Sequence, residues 1–128
     1  GKAAQGLVET VDIYPTLADL CGLKLPNDLP GVSLKPLLSD PNQQGKDGAF
    51  SFFGHGPYFG RSLRTERYRI VEWVNKKTGK RVQLELYDHQ HNSTEAVNMA
   101  HWPENQGLVQ QLLAQMNTES RAMAEIVP

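Results

Sequence analysis

The chain has 128 residues and a formal net charge of −1, with 39% hydrophobic and 21% charged residues. These values are those of one soluble globular domain that can bury its own core. Basic and acidic residues are interspersed, without the polybasic run or acidic tail that marks a nucleic-acid or membrane-surface partner. No apolar run approaches the roughly 18 residues of a membrane span. Composition and charge therefore predict neither nucleic acid nor membrane as a partner.

The first predicted element is a short helix that starts near Thr10 and Asp12, two residue types that cap helices, and ends at Gly22. Pro15 suits its first turn. Apolar residues recur on one predicted face of this helix: Ile13, Leu17, Leu20 and Cys21. Cys21 is the only cysteine, cannot form an internal disulfide, and is predicted to be a buried small hydrophobe. Covering the apolar face requires a second layer, so we expect a larger body to pack against this helix.

The middle of the chain is predicted to consist of connectors around one strand. Residues 23–30 contain proline and asparagine and form a connector, and residues 31–38 can form one helical turn. Residues 39–48 form an exposed polar loop, whereas the aromatic residues 49–53 favour a strand. Glycine and proline then interrupt residues 54–61, which predicts a mobile or tightly turned loop. A loop of this kind is a place where function can lie.

Two strands and a helix are predicted for the rest of the chain. Residues 68–74 and 81–87 flank a polar, glycine-containing turn and form a hairpin. Apolar residues alternate with polar ones in the second strand. Val82 and every second residue after it are therefore predicted to pack in the core, while the other face meets water. A helix after Pro103 supplies the covering layer with an apolar stripe: Leu108, Val109, Leu112, Leu113 and Met116. The predicted fold class is α+β, with a small antiparallel sheet of three to four strands packed against a long C-terminal helix, and a short N-terminal helix.

Four segments, in this order along the chain, resemble motifs of the sulfatases. Residues 11–17, Val-Asp-Ile-Tyr-Pro-Thr-Leu, resemble the helix that closes the large α/β domain of that family. Residues 31–38 are similar to its Gly-x-Ser-Leu-x-Pro-Leu-Leu turn, and residues 62–73 to its Arg-Thr-x-x-Tyr-Arg strand with a trailing Trp. Residues 85–100 are similar to the element that precedes the final helix. The chain thus resembles the C-terminal subdomain of a sulfatase, in the iduronate-2-sulfatase-like branch of the alkaline-phosphatase-like superfamily.

This resemblance implies a place for the chain in a larger enzyme. Residues 1–128 would be a single C-terminal subdomain. Within it, residues 1–40 would be a connector and the end of the larger α/β domain, from which the short N-terminal helix is left over. Residues 41–128 would form the sheet and the C-terminal helix. The family hydrolyses sulfate esters with a formylglycine, made in a Cys/Ser-x-Pro-x-Arg motif, and a calcium ion. Cys21 is followed by Gly-Leu-Lys-Leu and cannot be that nucleophile. We therefore expect no catalytic residue and no metal ligand here, a catalytic N-terminal domain as partner, and no activity of the chain alone.

The resemblance also implies what such a subdomain does. It packs its sheet against the large domain and lends loops to the rim of the pocket that receives the substrate, a sulfated carbohydrate. By position, residues 54–61 are the candidate rim, because His55 and Arg61 can hydrogen-bond an anionic sugar and Tyr58 can stack on its ring. The alternative is an ordinary turn between two strands, with Arg61 solvated and Tyr58 packed against the other domain.

Other groups of residues admit a second interpretation. His89 and His91 beside Asp88 could suggest a metal site, but they lack a third ligand at a familiar spacing, and a solvated loop is the alternative. Four arginines between residues 61 and 69 imitate a nucleic-acid site, but glutamates interrupt them. Trp73 is predicted to pack between the sheet and the helix rather than to bind a sugar.

Two other function classes stay open at this point. One is the tail of a related phosphodiester or phosphonate hydrolase, and the other is a free-standing binding module that covers its own apolar surface. A fragment would instead leave Ile13 and Leu17 exposed, and self-association through them would be an artefact. Analogy with the family favours a secreted, periplasmic or lysosomal setting.

Overall fold

The computed structural model describes residues 1–91 and 93–124, which form two compact units. One unit contains Gly1–Ala49 and residues 119–124, and the other contains Phe50–Thr118. The elements, in chain order, are a 3₁₀ turn (Thr10–Asp12), α1 (Ile13–Leu20), α2 (Lys35–Ser39), β1 (Ala49–His55), β2 (Tyr58–Arg64), β3 (Tyr68–Asn75), β4 (Arg81–Asp88), a second 3₁₀ turn (Pro103–Asn105) and α3 (Gln106–Ala124). Among the helices in this part of the chain, none combines the length and the apolar character that crossing a bilayer requires.

The first unit is organised around the carboxylate of Asp12, which is fully buried. Its two oxygens accept the backbone N–H of Glu9 at 2.8 Å and that of Val32 at 2.9 Å. The ammonium of Lys46 donates to the same carboxylate at 2.7 Å and also contacts Glu9. Burial raises the pKa of Asp12, but the hydrogen bonds from Lys46, Val32 and Glu9 outweigh it and hold the pKa below its ordinary value. Asp12 therefore ties the start of α1 to two segments that are distant in sequence.

A second residue of α1 joins the helix to the segment before α2. The Thr16 hydroxyl donates to the carbonyl of Asp12 at 2.6 Å and accepts the N–H of Leu34 at 2.8 Å. Gly31 passes so close to the helix that a Cβ there would stand 2.1 Å from the carbonyl oxygen of Val11. The two sequence motifs at residues 11–17 and 31–38 are thus held together by contacts that depend on the identity of these side chains.

The apolar stripe predicted for α1 faces outward. Three of its residues each expose more than half of their surface: Ile13, Leu17 and Leu20. The helix buries other residues instead: Pro15, Thr16 and Ala18. Cys21 is exposed at the helix end, so the prediction that it is buried was wrong. The reason is that the hydrogen bonds of Asp12 and Thr16 turn that side of α1 inward and leave the apolar side without a cover in this unit.

The second unit is a four-stranded sheet in the order β1-β2-β3-β4 with α3 on one face. β3 pairs antiparallel with β2 and β4, and a two-residue connection makes β1 antiparallel to β2. The buried core joins the sheet to α3 and the segment before it: Leu63, Ile70, Leu84, Leu86, Ala100, Val109, Leu112 and Met116. This architecture, with the short N-terminal helix, confirms the predicted α+β fold with its antiparallel sheet and C-terminal helix.

Two details of the sheet differ from the prediction. Residues 54–61 form a hairpin rather than a loop, because β1 continues to His55 and β2 begins at Tyr58. Gly56 has a φ of 53° in the connecting turn, a conformation that glycine adopts without strain. Val82, predicted to face the core, is half exposed because the register of β4 shifts beside it. The hairpin and this irregularity lie at the same end of the sheet.

Candidate functional site

A groove lies at that end, on the face of the sheet opposite α3. Alternation along β3 puts Ile70 in the core beside α3 and Trp73 on the other face. Trp73 was predicted to pack between sheet and helix, and this was wrong. The groove has a volume of about 390 Å³ and six lining residues: His55, Tyr58, Trp73, Val82, Gln83 and Glu85. Sequence reasoning found the first two, whereas the others come together only through the pairing of β3 with β4.

Contacts from two strands hold the indole of Trp73 in place. Its Nε1–H donates to Glu85 at 3.1 Å, and its ring lies edge-on to Phe53, with 4.7 Å between ring centroids. Gly60 pairs with Trp73 across the β2–β3 ladder. A Cβ at Gly60 would stand 2.4 Å from the Phe53 ring, so the absence of a side chain lets that ring cross β2 and reach the indole. The glycine within β2 is the sequence signal that could have revealed this aromatic pair.

The carboxylate of Glu85 is oriented by two donors. Trp73 donates to one of its oxygens, and the Tyr87 hydroxyl donates to the other at 2.9 Å. Burial and this hydrogen bond raise the pKa of Tyr87, so the phenol stays a donor. An ionised carboxylate has about four acceptor positions, which leaves Glu85 able to accept two more hydrogen bonds from the groove.

The charged side chains beyond Tyr87 contact one another rather than the groove. The guanidinium of Arg69 lies 5.5 Å from the centre of the Tyr87 ring and donates to Glu95. Glu95 also lies 2.6 Å from Nε2 of His89. These groups lie further along the face of the sheet opposite α3, and they do not line the groove.

The structure brings His55 and Tyr58 together but not Arg61. Arg61 points to the α3 face, where its Nε donates to Glu72 at 2.7 Å and its NH2 donates to Asn117 at 2.6 Å. Arg81 also donates to Glu72, at 2.5 Å. Burial raises the pKa of Glu72, but the two guanidinium groups outweigh it and lower the pKa overall. The contacts of Arg61 are thus with the sheet and the helix.

The histidine-rich exit of β4 forms a second polar cluster. Arg67 binds Asp88 through two parallel hydrogen bonds of 3.0 and 2.7 Å, and His91 Nδ1 lies 3.0 Å from the same carboxylate. The Arg67 hydrogen bonds hold the pKa of Asp88 far below its ordinary value. An adjoining cavity of about 510 Å³ is lined by Arg64, Glu66, Arg67, His89 and Gln90. The cluster joins the β2–β3 turn to the end of β4.

The residues present do not fit the formylglycine or the metal that the family implies. Within residues 1–91 and 93–118, no group of three or more His, Cys, Asp or Glu side chains is arranged to hold a metal ion. Cys21 lacks the proline and arginine of the maturation motif in the residues that follow it.

Comparison with known proteins identifies the family. A family model described as N-sulphoglucosamine sulphohydrolase, C-terminal, matches residues 1–122. Arylsulfatase K of Rattus norvegicus is 35% identical over 122 residues, covering 87% of this chain and 21% of that protein. Delta 4,5-hexuronate-2-O-sulfatase of Bacteroides thetaiotaomicron is 31% identical over 99 residues, covering 73% of this chain and 20% of that protein. The chain thus spans about a fifth of the length of the curated relatives it matches.

Solved structures share the fold. A protein solved with its substrate, D-glucosamine-2-N,6-O-disulfate, has a TM-score of 0.77 and 20% identity over 91% of this chain and 24% of its own. A 2-O GAG sulfatase has a TM-score of 0.74 and 26% identity over 88% of this chain and 24% of its own. The phosphonate monoester hydrolase of Agrobacterium radiobacter, with a TM-score of 0.68 and 22% identity, shares the fold over 86% of this chain and 24% of its own. The chain belongs to the family of sulfatase C-terminal domains that the matching model describes.

Proposed function

We propose that the chain works as the C-terminal domain of a longer sulfatase, which hydrolyses sulfate esters of a carbohydrate. The family match over residues 1–122 carries this proposal, supported by relatives whose names denote sulfatases. The nucleophile, a formylglycine, and the calcium ligands are assigned to the catalytic N-terminal domain of that enzyme. Within the chain, residues 1–40 complete the α/β domain and residues 41–128 form the terminal subdomain. Membership of the iduronate-2-sulfatase-like branch stays a prediction.

The exposed face of α1 is the contact surface for the rest of the enzyme in this proposal. Ile13, Leu17 and Leu20 form an apolar stripe that the first unit leaves uncovered. A stripe of this kind on a soluble protein marks an interaction site. The stripe also argues against a free-standing module, which would cover it.

The groove is the proposed contribution of the chain to substrate binding. His55 and Tyr58 stand at its hairpin end, and Tyr58 is 38% exposed. An aromatic ring beside unoccupied hydrogen-bonding groups is suited to a sugar, which has apolar ring faces and polar hydroxyls. Arg61, the third residue predicted for the rim, donates to Glu72 and Asn117, so we assign it to anchoring β2 on α3 rather than to contact with the sugar.

The test is made on the complete reading frame that contains this chain. We expect a Cys/Ser-x-Pro-x-Arg motif and paired aspartates upstream, and release of inorganic sulfate from sulfated saccharides by the purified protein. Replacing the motif Cys or Ser by Ala should abolish this release, and the 128-residue chain alone should release none. A frame without the motif would refute the proposal, as would hydrolysis of a phosphonate monoester without hydrolysis of any sulfate ester.

A further inference from the structure

We infer that the groove binds an uncharged pyranose ring rather than a sulfated or carboxylated one. The inference depends on the proposed function only for the choice of carbohydrate as the ligand. It concerns six side chains of one unit: His55, Tyr58, Trp73, Val82, Gln83 and Glu85. Its basis is the balance of apolar, polar and charged groups in that lining.

The shape and the aromatic content of the groove suit a flat, partly apolar ligand. Its volume of about 390 Å³ is within the roughly 300–1,000 Å³ of small-molecule sites. Tyr58 and Trp73 come from adjacent strands, and Val82 adds an aliphatic surface at the irregularity of β4. Because Phe53 and Glu85 fix the indole, little side-chain entropy is lost on binding.

The polar groups of the lining are free to meet sugar hydroxyls. Among the described residues, His55, Tyr58 and Gln83 make no side-chain hydrogen bond, and Glu85 has unused acceptor positions. Glu85 accepts hydroxyl hydrogens, the Gln83 amide and the imidazole can donate or accept, and the Tyr58 phenol can donate. The groove therefore offers partners for several hydroxyls around one ring.

The charge of the lining selects against anions. Glu85 is the one carboxylate, and the six lining residues include neither lysine nor arginine. Lys76 lies at the hairpin tip, where its ammonium donates to the carbonyl of Gly56 at 2.9 Å, and it is outside the lining. A sulfate about 5 Å from the Glu85 carboxylate would bind about fourfold more weakly than its neutral counterpart in water of low ionic strength, and salt would reduce this difference.

The test compares two matched probes on the 128-residue chain: N-acetylglucosamine and its 6-O-sulfate. The readout is the NMR signal of the Trp73 indole N–H, assigned with Trp102→Phe. We expect saturable shifts with a dissociation constant on the order of 1 mM for the neutral sugar, the value typical of a ligand with about 15 non-hydrogen atoms. In a buffer of low ionic strength, the sulfated sugar should bind about fourfold more weakly.

Two substitutions in the groove, each with a matched control outside it, test the proposed binding contacts. Tyr58→Ala should weaken binding of the neutral sugar about two- to tenfold. Tyr14→Ala, at an exposed tyrosine outside the groove, should leave binding unchanged. Glu85→Gln should lower the ratio of the dissociation constant of the sulfated probe to that of the neutral probe. Glu66→Gln should leave this ratio unchanged. Should Glu85→Gln fail to fold, Gln83→Ala at an exposed position replaces it and should weaken binding of the neutral sugar, because an amide that can bond its hydroxyls is removed.

Absence of a saturable shift up to about 50 mM sugar, or tighter binding of the sulfated probe, would overturn the inference. So would a Tyr58→Ala variant that binds as the unaltered chain does. Sulfate release by the longer protein is measured separately, so loss of that activity refutes the proposed function and leaves the groove measurement to decide the inference.

Discussion

Replacing Asp12 by alanine should strongly destabilise the first unit, because this carboxylate accepts from three donors and is fully buried. The substitution removes the acceptor for the N–H groups of Glu9 and Val32 and one of the two carboxylates that contact Lys46. Leaving a buried donor unpaired costs about 1–3 kcal/mol, and breaking a buried ion pair costs about 3–5 kcal/mol. These terms overlap, since they describe the same groups. We therefore expect a loss of about 3–5 kcal/mol in the free energy of unfolding of this unit.

Amide hydrogen exchange at Leu34 measures this loss directly. Its N–H donates to Thr16 rather than to Asp12, so faster exchange reports opening of the unit and not loss of the deleted bond itself. A destabilisation of about 3 kcal/mol corresponds to exchange at least about 100-fold faster. Asp28→Ala, at an exposed carboxylate, is the control and should change the rate little. A change of less than about threefold at Leu34 in Asp12→Ala would refute the role assigned to this carboxylate.

The same pair predicts the pH range in which the first unit is stable. Burial acts against the charge of Asp12, but its hydrogen bonds lower the pKa below the ordinary 3.8, so its contribution is complete above pH 3.8 and is lost as the pH falls through the lowered value. Burial likewise acts against the charge of Lys46, but Asp12 and Glu9 raise its pKa above 10.5. Its contribution is complete below pH 10.5 and is lost as the pH rises through the raised value. In Asp12→Asn, the Leu34 amide should be less protected against hydrogen exchange than in the unaltered chain. Its protection should also fall less steeply as the pH is lowered.

Three further changes test the rest of the chain. Glu72→Gln should lower the free energy of unfolding in urea by about 2–4 kcal/mol, because two guanidinium groups lose their shared carboxylate; the exposed Glu66→Gln should change it little. Gly60→Ala should cost about 1–3 kcal/mol by displacing the Phe53 ring, and Gly54→Ala, whose Cβ would meet only the end of a lysine side chain, should cost less. Cys21 should react as one thiol per chain with Ellman's reagent under native conditions, and the thiol count should not rise in urea.

The sheet and α3 could be predicted because the residues that their apolar spacing marks for burial are largely the ones that the structure buries. Leu84 and Leu86 alternate with polar residues and lie in the core, as do Val109 and Leu112 of α3. The same reasoning failed for α1, where periodicity identified an apolar face but not what covers it. The buried side of that helix depends on hydrogen bonds to residues some 20 positions away, such as the one from Val32, which periodicity does not report.

The candidate site could be predicted only in part, for a related reason. His55 and Tyr58 are adjacent in sequence to glycine and proline, so local composition marked them as exposed. Trp73, Gln83 and Glu85 meet because of strand register, which places Trp73 opposite Gln83. A single sequence does not fix that register. The irregularity at Val82 altered which residues share a face, and nothing in the local pattern indicated it.

The motifs that identify the family are positions that hold the fold. Asp12 and Thr16 of the first motif bind the backbone at Val32 and Leu34 of the second, and Gly31 is required by the close approach to α1. Asn98, in the last motif, similarly accepts the N–H groups of Leu86 and Ala100 and donates to Leu84. The side chains at these positions serve backbone groups that the fold must satisfy, so their role does not depend on which ligand the groove binds. A match to the motifs therefore assigns the family. The proposed sugar preference depends instead on groove side chains that bind no backbone group, and substitution can change these without unfolding the sheet.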